Sequence, residues 1–199
     1  MQLRNAVLSL AVMIALGGDA MGNYGKTTIG GTSQSIAADT KRACKFTAPS
    51  DIAAIDSISV YANRTAAGSG YAIRGGIYTD NAGAPNALVA NSDLQINANI
   101  TRNSPAWYSV NYSTKPVLTP GGVYWLCVGF SKAGLTYYDA VAVNQEATLG
   151  DTYSDGLANP FGGGPTNDSV EMSIYLTYTP GTTHPLAGNA VSTSSGVGG

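Results

Sequence analysis

The side chains that most often carry out covalent chemistry are scarce in this sequence. The chain has one histidine, His184, two cysteines, Cys44 and Cys127, and two glutamates, Glu146 and Glu171. General acid–base catalysis and zinc sites depend mainly on histidine, carboxylates and cysteine. A Ser/His/Asp triad fails on this inventory, because the only histidine lies in a Gly/Ser/Thr-rich tail. No spacing singles out a carboxylate pair either, so the sequence predicts a non-enzyme with no cofactor.

The two cysteines lie in the middle of apolar segments, RACKF and WLCVGF. Two strands that are distant in sequence can be neighbours in a sheet, which would bring Cys44 and Cys127 within reach of a disulfide. The alternative is a pair of unpaired core thiols, because free cysteine is among the most buried residue types. The sequence leaves both interpretations open, and two cysteines alone do not predict a metal site.

An acidic segment, DTYSDGLAN, offers oxygen ligands that calcium prefers, from Asp151, Asp155 and Asn159. The segment does not follow the EF-hand pattern, and Asp-Gly is usually a turn. We therefore predict no metal; the calcium candidates are these three residues, and Asp80 and Asn81 could also supply oxygen ligands.

Aromatic side chains are the remaining candidates for contact chemistry, with 12 tyrosines and 2 tryptophans in the chain. Aromatic faces can stack on sugars, but most of these residues fall in predicted strands, where packing in the core or a subunit interface is favoured. This strand group comprises Trp107, Tyr108, Tyr124, Trp125, Tyr175 and Tyr178. The better candidates for an exposed contact surface, including one for surface glycans, are Tyr137, Tyr138, Tyr153 and Phe161.

The elements that must position these residues are short β-strands. Apolar and polar residues alternate in several segments: Ile58, Val60 and Ala62 form one face of a strand, and Ser57 and Ser59 form the other. The segment VYWLCVGF is apolar on both faces, as expected for a central strand. Gly/Pro/Asn/Asp turns separate the strands. The strands are predicted at residues 41–47, 55–62, 71–79, 88–96, 106–112, 123–130, 136–143 and 170–178. They predict an all-β fold, a two-sheet antiparallel sandwich of the jelly-roll type.

Residues 144–169 form a long connection with little strand pattern. Loops of this length are often functional. We favour a structural role, in which a compact flap anchored by Tyr153, Leu157 and Phe161 covers one end of the sandwich.

The two ends of the chain differ from the predicted domain at 23–179. Residues 1–22 contain an apolar run in which Leu3, Val7, Leu10 and Ile14 recur at helical spacing, and residues 180–199 carry no charge. The first segment is an uncleaved assembly arm, helical or extended, or else a signal peptide; it is too short for a confident transmembrane span. The last segment is predicted to be an extended tail.

Charge excludes other classes of partner. Only 11% of residues are charged, and the formal net charge is −2 with no basic cluster. Nucleic-acid binding needs a basic stripe, and polybasic membrane attachment needs a basic patch. Neither partner is expected.

Five segments resemble a β-sandwich module that recurs in bacteriophage virion proteins and bacterial extracellular proteins: IAADTKRACKFT, GGIYTDNAGAPNALVANS, PGGVYWLCVGF, DTYSDGLANPFGG and MSIYLTY. The resemblance covers about residues 24–179 and implies a non-enzymatic structural, decoration or attachment domain. Cys44 and Cys127 depart from it, since small non-cysteine residues are expected at both positions.

Together these features predict a structural protein of a virion surface, such as a decoration, fibre or tail-associated subunit. Its expected partners are copies of itself and neighbouring subunits. The alternatives are a secreted surface or filament subunit with a cleaved leader, which would be extracellular, and a carbohydrate-binding attachment module.

Overall fold

The computed structural model describes residues 20–96 and 100–181. The predicted assembly arm and most of the predicted tail, including His184, lie outside the described residues. Within them, no helix is long and apolar enough to cross a membrane.

The described chain folds into two antiparallel sheets that pack face to face, which confirms the predicted sandwich. Sheet 1 contains β1 (Gly22–Gly25), β2 (Thr32–Ile36), β4 (Ile52–Arg64), β8 (Ala106–Asn111), β10 (Gly134–Ala140), β13 (Val170–Met172) and β14 (Ile174–Pro180). Sheet 2 contains β3 (Thr40–Thr47), β5 (Ile73–Asn81), β6 (Ala84–Leu88), β7 (Leu94–Ile96), β9 (Val123–Phe130), β11 (Glu146–Gly150) and β12 (Thr166–Asp168).

The long strand β4 is the centre of sheet 1. It pairs with β14 along one edge and with β8 along the other, and β10 pairs with its last residues. Its alternation follows the prediction, because Ile58, Val60 and Ala62 are fully buried against sheet 2. The residues between them therefore lie on the outer face of sheet 1.

Strand β9 is central in sheet 2, between β3 and β5. Leu126, Val128 and Phe130 face the core between the sheets, whereas Trp125 and Cys127 belong to a second cluster on the outer face. This confirms that VYWLCVGF is apolar on both faces because both faces are covered.

The flap, residues 151–165, covers the outer face of sheet 2. Leu157 and Phe161 pack on Tyr78 and Trp125 there, and Asp151 forms an ion pair with the fully buried Lys41 (Nζ–Oδ2 3.0 Å). The structure has the predicted flap, anchored by Leu157 and Phe161, but the flap covers the outer face of sheet 2 and not one end of the sandwich. However, residues 144–169 are not free of strands, since β11 extends sheet 2 beside β3 and β12 pairs with β11.

Other strand boundaries also differ from the prediction, β1 and β2 lie outside every predicted strand, and two predicted strands are divided. Residues 88–96 do not form one strand, because Asn91 adopts a positive φ of 63° and the Ser92 N–H donates to the Val89 carbonyl, which makes a turn between β6 and β7. Residues 170–178 are divided at Ser173, where the chain passes from pairing with β10 to pairing with β4.

Candidate functional site

Four aromatic side chains form a continuous row on the outer face of sheet 1. In order, they are Tyr137 on β10, Tyr61 on β4, Trp107 on β8 and Tyr175 on β14. We call this set the aromatic row. All four side chains are half-buried, so each keeps part of its surface exposed to solvent. Within the described residues, the row stays partly open to solvent, whereas a flap covers the outer face of sheet 2.

Strand register brings these rings together. Tyr61 lies directly opposite Trp107, and Ser59 lies opposite Ser109 on one side and Tyr175 on the other. The Tyr61–Trp107 pair is of the non-hydrogen-bonded kind, in which side chains approach most closely. The small Ser59 and Ser109 share a hydrogen bond (Oγ–Oγ 2.6 Å) and leave the space in which Trp107 reaches across to Tyr175.

The rings contact one another edge to face. Ring centroids are 5.0 Å apart for Tyr137 and Tyr61, 5.4 Å for Tyr61 and Trp107, and 5.0 Å for Trp107 and Tyr175. Interplanar angles between neighbours lie between 66° and 77°. Such contacts are favourable and fix the ring orientations, so the surface is formed before a ligand arrives.

Hydroxyl and amide groups surround the row. Ser57 and Thr177 hydrogen bond to each other on the outer face (Oγ–Oγ1 2.5 Å), and Asn111 is exposed at the end of β8. At the Tyr137 end, Asp139 forms an ion pair with Lys26 (Oδ2–Nζ 2.6 Å) and accepts the Gly31 N–H. These bonds lower the pKa of Asp139, so the carboxylate stays ionised and paired. The row is therefore a neutral surface with polar edges.

This arrangement is suited to binding rather than to bond breaking. The negative face of an aromatic ring attracts partly positive C–H groups, such as those on the face of a pyranose. The exposed Ser109 hydroxyl and Asn111 amide can exchange hydrogen bonds with sugar hydroxyls. Within the described residues, no group of three or more His, Cys, Asp or Glu side chains could hold a metal ion.

The structure places the four aromatic residues predicted for the contact surface in three different settings. Tyr137 belongs to the aromatic row, whereas Tyr138 lies on the opposite side of β10 and pairs with the buried Met172. Tyr153 is half-buried on the flap, with its ring beside Arg74. Phe161 is only 1% exposed and packs edge to face on Tyr78. Phe161 is therefore wrong as a contact residue, because it anchors the flap.

The sequence analysis does not identify three residues of the row as contact residues. It predicts packing for two of them and does not consider Tyr61. Core or interface packing is the prediction for Trp107 and Tyr175, and both are half-buried on the outer face. Trp125 and Tyr178 of the same group are buried. The signal lay in the alternation. Tyr61 follows Ser57 and Ser59 on the polar face of its strand, and Tyr175 shares the outer face with Thr177.

The disulfide interpretation is wrong for a reason of register. Ala43 lies opposite Cys127, and Cys44 lies opposite Leu126, so the two sulfurs point to opposite faces of sheet 2. Both cysteines are free and buried. The Met172 N–H donates to Cys44 Sγ (3.2 Å), and burial raises the pKa of both thiols far above the ordinary value.

Two of the calcium candidates, Asp151 and Asn159, are occupied by other contacts. Asp151 Oδ2 pairs with Lys41 and accepts the Ala158 N–H, and Asn159 Oδ1 accepts the Leu88 N–H. Asp155 is exposed at the end of a short 3₁₀ helix, Tyr153–Asp155. The contacts of Asp151 and Asn159 hold the flap in place.

A polar groove at the side of the sandwich is an alternative candidate site. Two cavities of about 330 and 520 Å³ are both lined by Lys45, whose Nζ lies 5.5 Å from the centroid of the Trp125 ring. Asp80 Oδ1 accepts the Trp125 Nε1–H (2.8 Å), and Trp125 is 1% exposed. The groove offers polar contacts, but the Trp125 ring is almost inaccessible from it. The aromatic row is therefore the stronger candidate site.

No protein-family model and no curated protein matches the chain. Among solved structures, the chain is similar to the crystal structure of the cysteine protease and lectin-like domains of Cwp84, a surface layer associated protein of Clostridium difficile. The TM-score is 0.50 and the sequence identity is 12%. The match covers 80% of this chain and 36% of that chain, so this chain spans well under two thirds of the other's length. At this identity the similarity shows a shared fold.

Proposed function

We propose that the chain is a non-enzymatic carbohydrate-binding module that attaches to neutral glycans at an extracellular surface. The observation that carries the proposal is the aromatic row, four half-exposed rings in edge-to-face contact on the outer face of sheet 1. Exposed apolar patches with polar edges on soluble proteins commonly mark ligand or partner sites. Because the row carries no net charge of its own, we expect uncharged sugars rather than acidic ones.

The comparison supports the extracellular and lectin-like alternatives of the sequence prediction over the virion. The similar solved structure comes from a bacterial surface-layer-associated protein that contains a lectin-like domain. That structure also contains a cysteine protease, but a nucleophilic cysteine must be a partly exposed thiolate. Cys44 and Cys127 are fully buried, with raised pKa values. A role as a virion-surface subunit stays a prediction.

Binding to a panel of polysaccharides tests the proposal. Full-length protein is incubated with neutral β-linked polysaccharides and with purified bacterial cell wall, and the bound fraction is measured. Trp107→Ala is expected to weaken binding about tenfold, since one aromatic contact contributes about 0.5–1.5 kcal/mol beyond its buried area. Trp107→Phe is the matched control, because it keeps a ring at this position and is expected to bind within about threefold of the wild type.

Far-UV circular dichroism and the melting temperature confirm that each variant is folded. Two outcomes contradict the proposal. In one, no polysaccharide of the panel retains the wild-type protein. In the other, Trp107→Ala and Tyr137→Ala bind as strongly as the wild type.

A further inference from the structure

Strand β8 has an open edge. Along one side it pairs with β4, from the pair Ala62 and Ala106 to the pair Ser57 and Asn111. No strand within residues 20–96 and 100–181 pairs with its other side. Because a strand edge presents a row of backbone donors and acceptors, an open edge is a template for pairing with another strand.

The register shows which backbone groups face outward. The Tyr112 N–H donates to the Asp56 carbonyl (2.9 Å), so residues 106, 108 and 110 direct their N–H and C=O groups toward β4. Trp107, Ser109 and Asn111 lie in the alternate pairs and direct theirs away from β4. The same three residues carry their side chains on the outer face, where Ser109 and Asn111 are exposed.

This edge lacks the devices that usually prevent pairing. The sequence of β8 is AWYSVN, which contains no charge and no proline, and its pairing with β4 has no bulge. Natural sheets protect edges with lysine, proline, bulges or very short strands. The opposite edge of sheet 1 has such protection, because β1 has only four residues, whereas β8 has six residues and its nearest proline, Pro105, lies before the strand.

We propose that β8 is a self-association site, at which two copies of the chain pair antiparallel about a two-fold axis at Ser109. Trp107 of one copy then lies opposite Asn111 of the second copy, and the outward backbone groups of all three residues find partners. On the inner side, Tyr108 lies opposite Val110 of the second copy, an aromatic–β-branched pair that stabilises sheets. No like charges meet, so the strand is complementary to itself.

The pairing extends the proposed glycan surface, although it does not depend on glycan binding. Trp107 lies on the strand nearest the axis, so the two aromatic rows become parts of one sheet face. A polysaccharide could then contact both rows. This statement rests on the proposed function, whereas the pairing itself is tested without any glycan.

Sedimentation velocity of the full-length chain over a range of concentrations tests the association. Ser109→Pro removes the outward N–H, which β4 does not use, and proline is tolerated on an edge strand in this orientation. Ser109→Ala is the matched control, because it loses the same hydroxyl contact with Ser59 but keeps the N–H. Wild type and Ser109→Ala are expected to dimerise, and Ser109→Pro is expected to sediment as a monomer.

A second test, which places opposite charges at position 109 of the two copies, remains decisive if Ser109→Pro fails to fold. Ser109 is exposed, so Ser109→Lys and Ser109→Glu should be tolerated in the monomer. Each alone sets like charges opposite each other at the axis and is expected to be monomeric, whereas an equimolar mixture of the two is expected to form heterodimers. The proposal is overturned if the wild type is monomeric at every concentration, if folded Ser109→Pro dimerises like the wild type, or if the mixture stays monomeric.

Discussion

The face on which a single side chain lies determines its role in this sandwich. Cys44 and Cys127 are neighbours in adjacent strands, yet one faces the core between the sheets and the other the cluster beneath the flap. Tyr61 is half-buried because it lies on the outer face with Ser57 and Ser59, while Val60 beside it is fully buried in the core. A shift in register by one residue would exchange these environments.

Glu146 is the residue for which we expect a measurable effect of pH. It is 2% exposed and lies beside the buried Arg42 (Nε–Oε1 3.1 Å). Burial raises the pKa of Glu146 to about 7, the negative charge of Asp168 adds to this rise, and Arg42 opposes it. Because this pKa lies above the unfolded value of about 4.3, the contribution to stability is complete below that value and is lost as pH rises through about 7.

The free energy of unfolding, measured by urea denaturation, should therefore fall by up to about 4 kcal/mol between about pH 4 and about pH 8 through this group. Glu146→Gln cannot titrate and is expected to remove this part of the pH dependence. An unchanged pH profile in Glu146→Gln would show that another group is responsible.

The flap is held on sheet 2 by a fit between one leucine and two glycines. Leu157 packs where β5 and β9 carry Gly76 and Gly129, and a Cβ on Gly129 would lie 3.1 Å from Leu157 Cδ2. Asp93 Oδ2 accepts the Leu157 N–H (3.1 Å) and Asp93 Oδ1 accepts the Arg74 Nε–H (2.7 Å), which fixes the flap at the same point. The glycines thus supply space for the flap, which small residues in a central strand often do.

Gly76→Leu fills this space and is expected to displace Leu157, because a Cβ at position 76 already contacts its Cδ1 atom. We expect faster cleavage within residues 151–165 in limited proteolysis, since a displaced segment becomes accessible to a protease. Gly83→Ala is the control for an added side chain, because a Cβ there meets nothing within 4 Å, although its positive φ of 87° brings a small strain of its own. Equal cleavage rates in Gly76→Leu and the wild type would contradict this account of the flap.

The sequence was informative where local pattern determines structure. Alternation in β4 and the doubly apolar β9 follow directly from burial, so the sandwich was predictable from them. The sequence was not informative where pairing between segments distant in the chain determines the structure. β11 has a strand pattern too short to stand out and forms because β3 offers it an edge. The aromatic row combines residues from four strands, so no single segment reveals it.

At the level of the whole molecule, the two faces of the sandwich differ. The flap covers sheet 2, whereas the outer face of sheet 1 carries the aromatic row and ends at the open β8 edge. Only 11% of the residues in the chain are charged, so little electrostatic repulsion is available to keep partners away from this face. The fold therefore leaves one side available for contact, and pairing through β8 would double that contact surface.

If the two aromatic rows act together, binding to a polymer should depend on dimerisation and binding to a short oligosaccharide should not. Ser109→Pro is expected to reduce retention on a polysaccharide by about tenfold or more, because linked sites gain effective concentration. Its affinity for an oligosaccharide that spans one row should match that of Ser109→Ala. Equal retention of both variants on the polymer would show that each row binds alone.

Accessibility of the Trp107 indole to a soluble quencher tests the central claim most directly. The chain has two tryptophans, and Trp125 is 1% exposed, so acrylamide quenching of fluorescence reports mainly on Trp107. The account predicts that a glycan retained by the protein protects this fluorescence from acrylamide, and that the protection is absent in Trp107→Phe. A glycan that binds but leaves the quenching of Trp107 unchanged would contradict binding at the aromatic row.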